Sequence, residues 1–188
     1  MGQQFNHNSM TPSLDRRLKK MDQRLESLLN QLSAYDHTQL NRKPADGGWS
    51  ALQVMNHLIL AEEGSVKYVK KKLSFDPQLE KAGFFSAWRI FLLDFYFKLP
   101  FKYKAPPGVG DDALPAESDF KEVSDRWVSS RKALRDYLEG LPPDLFQMSV
   151  YKHPFAGRMS LESMVQFFDG HFERHRKQIE RVVGGKGD

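Results

Sequence analysis

The sequence predicts an all-α fold, and within that class a four-helix bundle. Four long segments carry apolar residues at spacings of three and four, which puts them on one side of a helix. Each segment is bracketed by residues that start or stop helices. The chain has 188 residues, 40% of them hydrophobic and 28% charged, enough for one core and too few for a second domain of ordinary size.

The first helix is expected from about Pro12 to Tyr35, with Thr11 as cap and Leu14, Leu18, Met21, Leu25, Leu28 and Leu32 as its stripe. Residues 1–11 read as a disordered tail, and residues 12–188 as the folded domain. The N-terminal MGQQFNHNSM lacks a basic start followed by an apolar run, so it does not read as a signal peptide. The second helix starts at Ser50, where Ser50 and Gln53 have capping-box spacing and Trp49 is placed to staple onto Val54. Val54, His57, Leu58, Ala61, Ser65 and Tyr68 then form its inward face, and Lys70, Lys71 and Lys72 suit its negative end.

A long connection follows, from Ser74 to Glu117. Loops of this length usually carry function or their own structure, and residues 84–101 predict an extra aromatic-rich helix. Phe84, Phe85, Trp88, Phe91, Leu92, Phe95 and Leu99 share one face there. Arg89, Asp94 and Lys98 interrupt the segment, which excludes a transmembrane span of about 20 uncharged residues. Its surplus apolar surface fits a pocket wall first, a homodimer contact second and a membrane surface last. The third bundle helix runs from about Asp119 to Glu139, with Phe120, Val123, Trp127, Leu134 and Leu138 inward. Ser130 and Arg131 flank that seam as candidate pocket residues, although an arginine there ordinarily lies along the helix with its head in water. The fourth starts at Ser160 and places Leu161, Met164, Phe168, His171, His175, Ile179 and Val182 on one face before Gly184.

Histidines carry the chemistry. The spacing His171-x-x-x-His175 puts two rings on one helix face with Cβ atoms about 6 Å apart. With six histidines in the chain, about 0.2 such pairs are expected by chance, so the spacing alone is weak evidence. Burial sharpens it, because two imidazoles and a third, His57, among Leu, Met and Phe are costly unless something binds their nitrogens. Helix rise places His57 about 10 Å from Ser50, and His171 and His175 about 14–20 Å from Gly184. Antiparallel packing matches those depths best. In a simple up-down-up-down bundle these two helices would be parallel, so the long connection is read as a crossover that makes the order up-down-down-up.

Trp49-Ser50 ahead of His57-Leu58, His153-Pro154-Phe155-Ala156-Gly157 leading into Ser160-Leu161, and His171 with His175 together resemble the DinB-like, or YfiT-like, proteins. The resemblance spans about Leu14 to Val183. It implies a four-helix bundle in which His57, His171 and His175 hold a divalent metal, zinc or nickel. It also implies a small-molecule enzyme, either a thiol-dependent S-transferase or isomerase or a metal-dependent hydrolase. Three neutral nitrogens leave a coordination position free, as catalytic zinc sites do. Such an ion acidifies water for attack on an ester or amide, or holds an external thiol as thiolate.

Other patterns are excluded. Phe172 stands where a zincin peptidase needs Glu, and Val54, Phe168 and Phe172 stand where di-iron bundles need Glu three residues before His. With no clear general base, S-transfer from a low-molecular-weight thiol is favoured over hydrolysis, and a non-catalytic metal-binding stress or interaction protein is the remaining class. His153 is read first as a structural residue ahead of the last helix, with an approach to the pocket as the second reading. His7 and His37 are read as solvated. Absence of cysteine rules out thiol nucleophiles and disulfides within the chain and fits a cytoplasmic location. Net charge is +4 from 28 Lys+Arg and 24 Asp+Glu, a mixed surface that argues against nucleic acid. Arg174, Arg176, Lys177 and Arg181 alternate with Glu173 and Glu180, as a solvated salt-bridged face does.

Overall fold

Thr11 opens the first helix, α1 (Pro12–Leu32): its side-chain oxygen accepts the Leu14 N–H at 3.3 Å, and Pro12 sits where no N–H partner is needed. The computed structural model describes residues 10–83, 106–153 and 156–185. Within them the chain is predominantly helical, as an all-α fold requires. The four long helices are α1, α3 (Ala51–Leu73), α4 (Phe120–Glu139) and α5 (Leu161–Val183), and the short α2 (His37–Asn41) lies between the first two.

Three features were not foreseen: the short α2, a 3₁₀ turn and a hairpin. The first helix stops at Leu32 rather than Tyr35, because Asp36 opens α2 with its own capping box, accepting the Gln39 N–H at 2.8 Å while Gln39 accepts the Asp36 N–H at 2.9 Å. After α4 a 3₁₀ turn (Pro143–Gln147) leads into a small antiparallel hairpin, β1 (Tyr151–His153) with β2 (Gly157–Met159). Three-residue strands carry too little alternation to be read from sequence. The hairpin is anchored to α3 by the Tyr151 hydroxyl, 2.9 Å from Ser65 Oγ. Ser65 spends its proton on the Ala61 carbonyl at 2.7 Å, so Tyr151 is the donor of that pair.

The core has two clusters, and all four long helices contribute to each. One gathers Leu14, Leu18, Leu134, Leu138, Met164 and Phe168 with the hairpin, and the other gathers Leu28, Leu32, Leu52, Met55, Trp127 and Phe172. Met10, two residues ahead of the first helical residue Pro12, is buried in the first cluster. The first half of α3 is buried nearly all round, from Ala51 through Ile59, a wider face than the single stripe expected. Tyr68, expected on that face, is exposed.

Polar pairs fix how the helices meet. Arg17 donates to Asp169 at 2.9 Å and Arg24 also reaches Asp169, which joins α1 to α5. Arg135 reaches Asp15 at 2.9 Å and Asp22 at 3.2 Å, which joins α4 to α1. Arg126 pairs with Glu63, and Arg131 with Glu62, which joins α4 to α3. Ser118, just ahead of α4, exchanges reciprocal hydrogen bonds with the Asn41 side chain, 3.0 Å each way. The far end of the long connection is thereby set beside α2.

Early in that connection, Ala82 N–H donates to the Gln147 carbonyl and Ser149 N–H to the Glu80 carbonyl, both at 2.8 Å. The aromatic-rich helix expected at 84–101, and with it the dimer contact, lies outside the described residues. No helix among the described residues is long and apolar enough to cross a membrane.

Candidate metal centre

His57 is the seventh residue of α3, on a helix whose start is pinned by Ser50 and Gln53, each accepting the other's backbone N–H at 3.2 Å. His171 and His175 lie one turn apart on α5, whose start is fixed by Ser160 accepting the Ser163 N–H at 3.1 Å. The caps fix where each helix begins, and the apolar stripes packed in the shared core turn the histidines of each helix toward the other. The structure brings the three together: each offers a ring nitrogen, and these atoms all lie within 4.8 Å of one another. Ring centres are 4.6 Å apart for His171 and His175, 4.9 Å for His57 and His175, and 5.1 Å for His57 and His171.

Hydrogen bonds on the far side of two rings decide which nitrogen faces inward. His57 Nδ1 is 2.6 Å from the Val109 carbonyl, an oxygen that can only accept, so Nδ1 carries the proton and Nε2 presents a lone pair. His175 Nδ1 is likewise 2.8 Å from Gln178 Oε1. His57 Nε2 then lies 3.2 Å from His171 Nε2. Two nitrogens each about 2.0–2.1 Å from one tetrahedral ion would lie about 3.3 Å apart, so this spacing suits a shared cation.

Burial keeps the cluster neutral. His57 is 4% exposed and His171 9%. Loss of solvation holds His57 below the usual imidazole range and His171 well below it, with the neighbouring histidines adding to the effect at His171. His175 is pushed down to about 3, again chiefly by desolvation. Neutral imidazole is the form that binds a metal.

Around the triad, Trp49 lies with its ring centre 4.9 Å from that of His57 and donates its indole N–H to Asp111 at 2.5 Å. Phe167 stacks on His171 at 5.1 Å between ring centres. His153 is buried edge-on against Phe167, 4.4 Å between ring centres, and its Nδ1 accepts the Ala156 N–H at 3.1 Å. Its proton therefore sits on Nε2, and burial pushes its pKa down to about 4. His153 holds the hairpin turn and walls the site, and it is not one of the three gathered nitrogens.

The remaining sequence candidates divide. Ser130 is half-buried on α4. Arg131 is not in solvent as its residue type suggested: it is 4% exposed and makes a two-pronged pair with Glu62 at 2.6 and 2.7 Å. Its guanidinium also lies over Phe172, 5.7 Å from the ring centre. The reason is a buried carboxylate on α3, 69 residues away in the chain and invisible to local pattern. Trp88 lies outside the described residues. His37 is exposed beside Asn41 and Glu117, as a solvated histidine should be, and His7 lies outside the described residues. Arg176 pairs with Glu173 at 2.7 Å and with Glu180, ion pairs at the helical spacing expected of that run.

Sequence reasoning missed Val109, Asp111, Gln178 and Glu62. Gln178 had a legible signal, its position three residues after His175 on the same helix. A backbone carbonyl such as that of Val109 has none.

No curated protein and no solved structure matches the chain. The family model of the DinB superfamily matches residues 16–179, which takes in α3 and α4, most of α1 and α5, and all three gathered histidines. The chain belongs to the DinB superfamily.

Proposed function

We propose that His57, His171 and His175 hold one divalent ion, zinc or nickel, and that the protein transfers a low-molecular-weight thiol to a small electrophile. The observation that carries this reading is the trio of neutral, inward-facing imidazoles within 4.8 Å. A bound ion would supply Lewis acidity and hold an external thiol in its nucleophilic form. The chain's own part is to keep the three nitrogens deprotonated, oriented and shielded by Trp49 and Phe167. The nearby acidic groups are already engaged, Glu62 with Arg131 and Asp111 with Trp49, which supports a reaction that asks little of a general base.

The bundle order that goes with this site is up-down-down-up. Ser65, late in α3, meets Tyr151 close to the start of α5, while His57, early in α3, meets His171 and His175 further along α5, which supports an antiparallel pair. Along α3, Asn56 meets Ser118 just ahead of α4, Glu63 meets Arg126 and Lys70 lies over the Tyr137 ring, an order that supports those two helices running the same way.

Reconstitution with zinc or nickel followed by elemental analysis tests the site. About one ion per chain is expected in the wild type and a large loss in His57→Ala. A panel of thiols with electrophiles, run beside a panel of esters, then tests the reaction. Turnover of esters alone would replace S-transfer with hydrolysis, and metal without turnover in either panel would leave a binding protein.

A further inference from the structure

His57 is the one member of the triad contributed by α3, and its orientation rests on a loop rather than on its own helix. Its Nδ1–H is directed outward by the Val109 carbonyl at 2.6 Å. A carbonyl orients a ring only as well as the loop carrying it is held. Within that loop, Gly108 adopts φ +83°, its N–H donates to Asp112 at 2.8 Å, and Ala113 N–H donates to Gly110 O at 2.9 Å. These bonds shape the loop but do not attach it to α3.

Attachment comes from Trp49, whose indole N–H reaches Asp111 at 2.5 Å, two residues beyond Val109. The Trp49 ring also lies against His57, 4.9 Å between centres. One side chain thus touches the ligand and ties down the segment that orients it. Gln53 Nε2 donates to the Pro115 carbonyl at 3.0 Å and secures the loop further along.

We infer that the Trp49–Asp111 hydrogen bond positions His57 for metal binding: it pins loop 106–113 so that the Val109 carbonyl holds the imidazole with Nε2 toward His171 and His175. This inference rests on the proposed metal site. Trp49 and Asp111 are positioning residues, since they act through His57. Partners of this kind typically change metal affinity by about 10–100-fold. Asp111 is exposed, so its replacement leaves no buried group unsatisfied.

The test uses the full chain with Zn(II) in competition titrations and Co(II) for its absorption spectrum. Asp111→Ala and Trp49→Phe should each weaken Zn(II) binding about tenfold with unchanged urea midpoints. The double variant should be no worse than either single, as expected when both remove the same bond. Asp111→Asn, which keeps the acceptor oxygen and loses the charge, should bind like the wild type. In metal-free protein, imidazole nitrogen NMR should show His57 protonated at Nδ1, and in Asp111→Ala as a mixture of tautomers.

Unchanged affinity and tautomer in Asp111→Ala would overturn the inference. So would equal losses in Asp111→Asn and Asp111→Ala, which would mark a charge effect instead. If the wild type binds no metal, the proposed site fails, while the tautomer comparison still decides whether Asp111 positions His57.

Discussion

Arg131 occupies the inner face of α4 between Trp127 and Leu134, a position the stripe of that helix assigns to an apolar residue. It is tolerated there because Glu62 faces it with both carboxylate oxygens, each residue being almost wholly buried. Burial holds the Glu62 carboxyl above its usual range, with Arg131 opposing that shift. Removing one member therefore does more harm than removing both. Arg131→Ala should cost about 3–5 kcal/mol in urea unfolding, because it leaves a charged carboxylate buried without its partner. Arg131→Met combined with Glu62→Leu should recover most of that loss, and a double variant no more stable than Arg131→Ala would refute the account. At this scale the three histidines were legible, since each sits on a stripe of Leu, Met and Phe. The Arg131 pairing was not, because its partner lies 69 positions away in the chain and only folding brings the two together.

Elements whose ends carry a chemical signature were readable. Ser50 with Gln53, Asp119 and Ser160 all cap the helices whose starts they mark. The short α2 carries a capping box of the same kind at Asp36 and Gln39, but its five residues, beyond the expected end of α1 at Tyr35, were not read as a helix. The hairpin between α4 and α5 was missed for a different reason: its strands are held by pairing with each other and by Tyr151 on Ser65, not by local propensity. Helix α3 offers a clean test of local energetics. Gly64 lies in its middle, exposed, with nothing within 4 Å of where a Cβ would sit. Gly64→Ala should stabilise the protein by about 0.5–1 kcal/mol through a lower entropy of the unfolded chain, which a thermal melt reads directly. A lower melting temperature would show that something else occupies that space.

For the whole molecule, the buried histidines set the response to acid. In the unfolded chain they take up protons near pH 6.5. In the folded chain His153 holds out to about 4 and His175 to about 3, with His57 and His171 also depressed. The unfolded state therefore binds more protons across that interval, so stability is fully present above about pH 6.5 and falls as pH drops toward 4. Glu62, with its raised pKa, works in the opposite direction, but four imidazoles outweigh one carboxyl. Metal-free protein should show a urea midpoint clearly lower at pH 5 than at pH 7.5, and equal midpoints would contradict the burial of these rings. The sequence by itself determined the helical class, the capped starts of the long helices and the identity of the three histidines, because apolar periodicity and capping are local and each leaves a mark within a few residues. Only the tertiary structure decided that His57 meets the Val109 carbonyl, that Trp49 meets Asp111 in the same loop and that Arg131 is buried on Glu62. Those are contacts between segments distant in the chain, made through backbone atoms or through side chains whose surroundings exist only once the helices have packed.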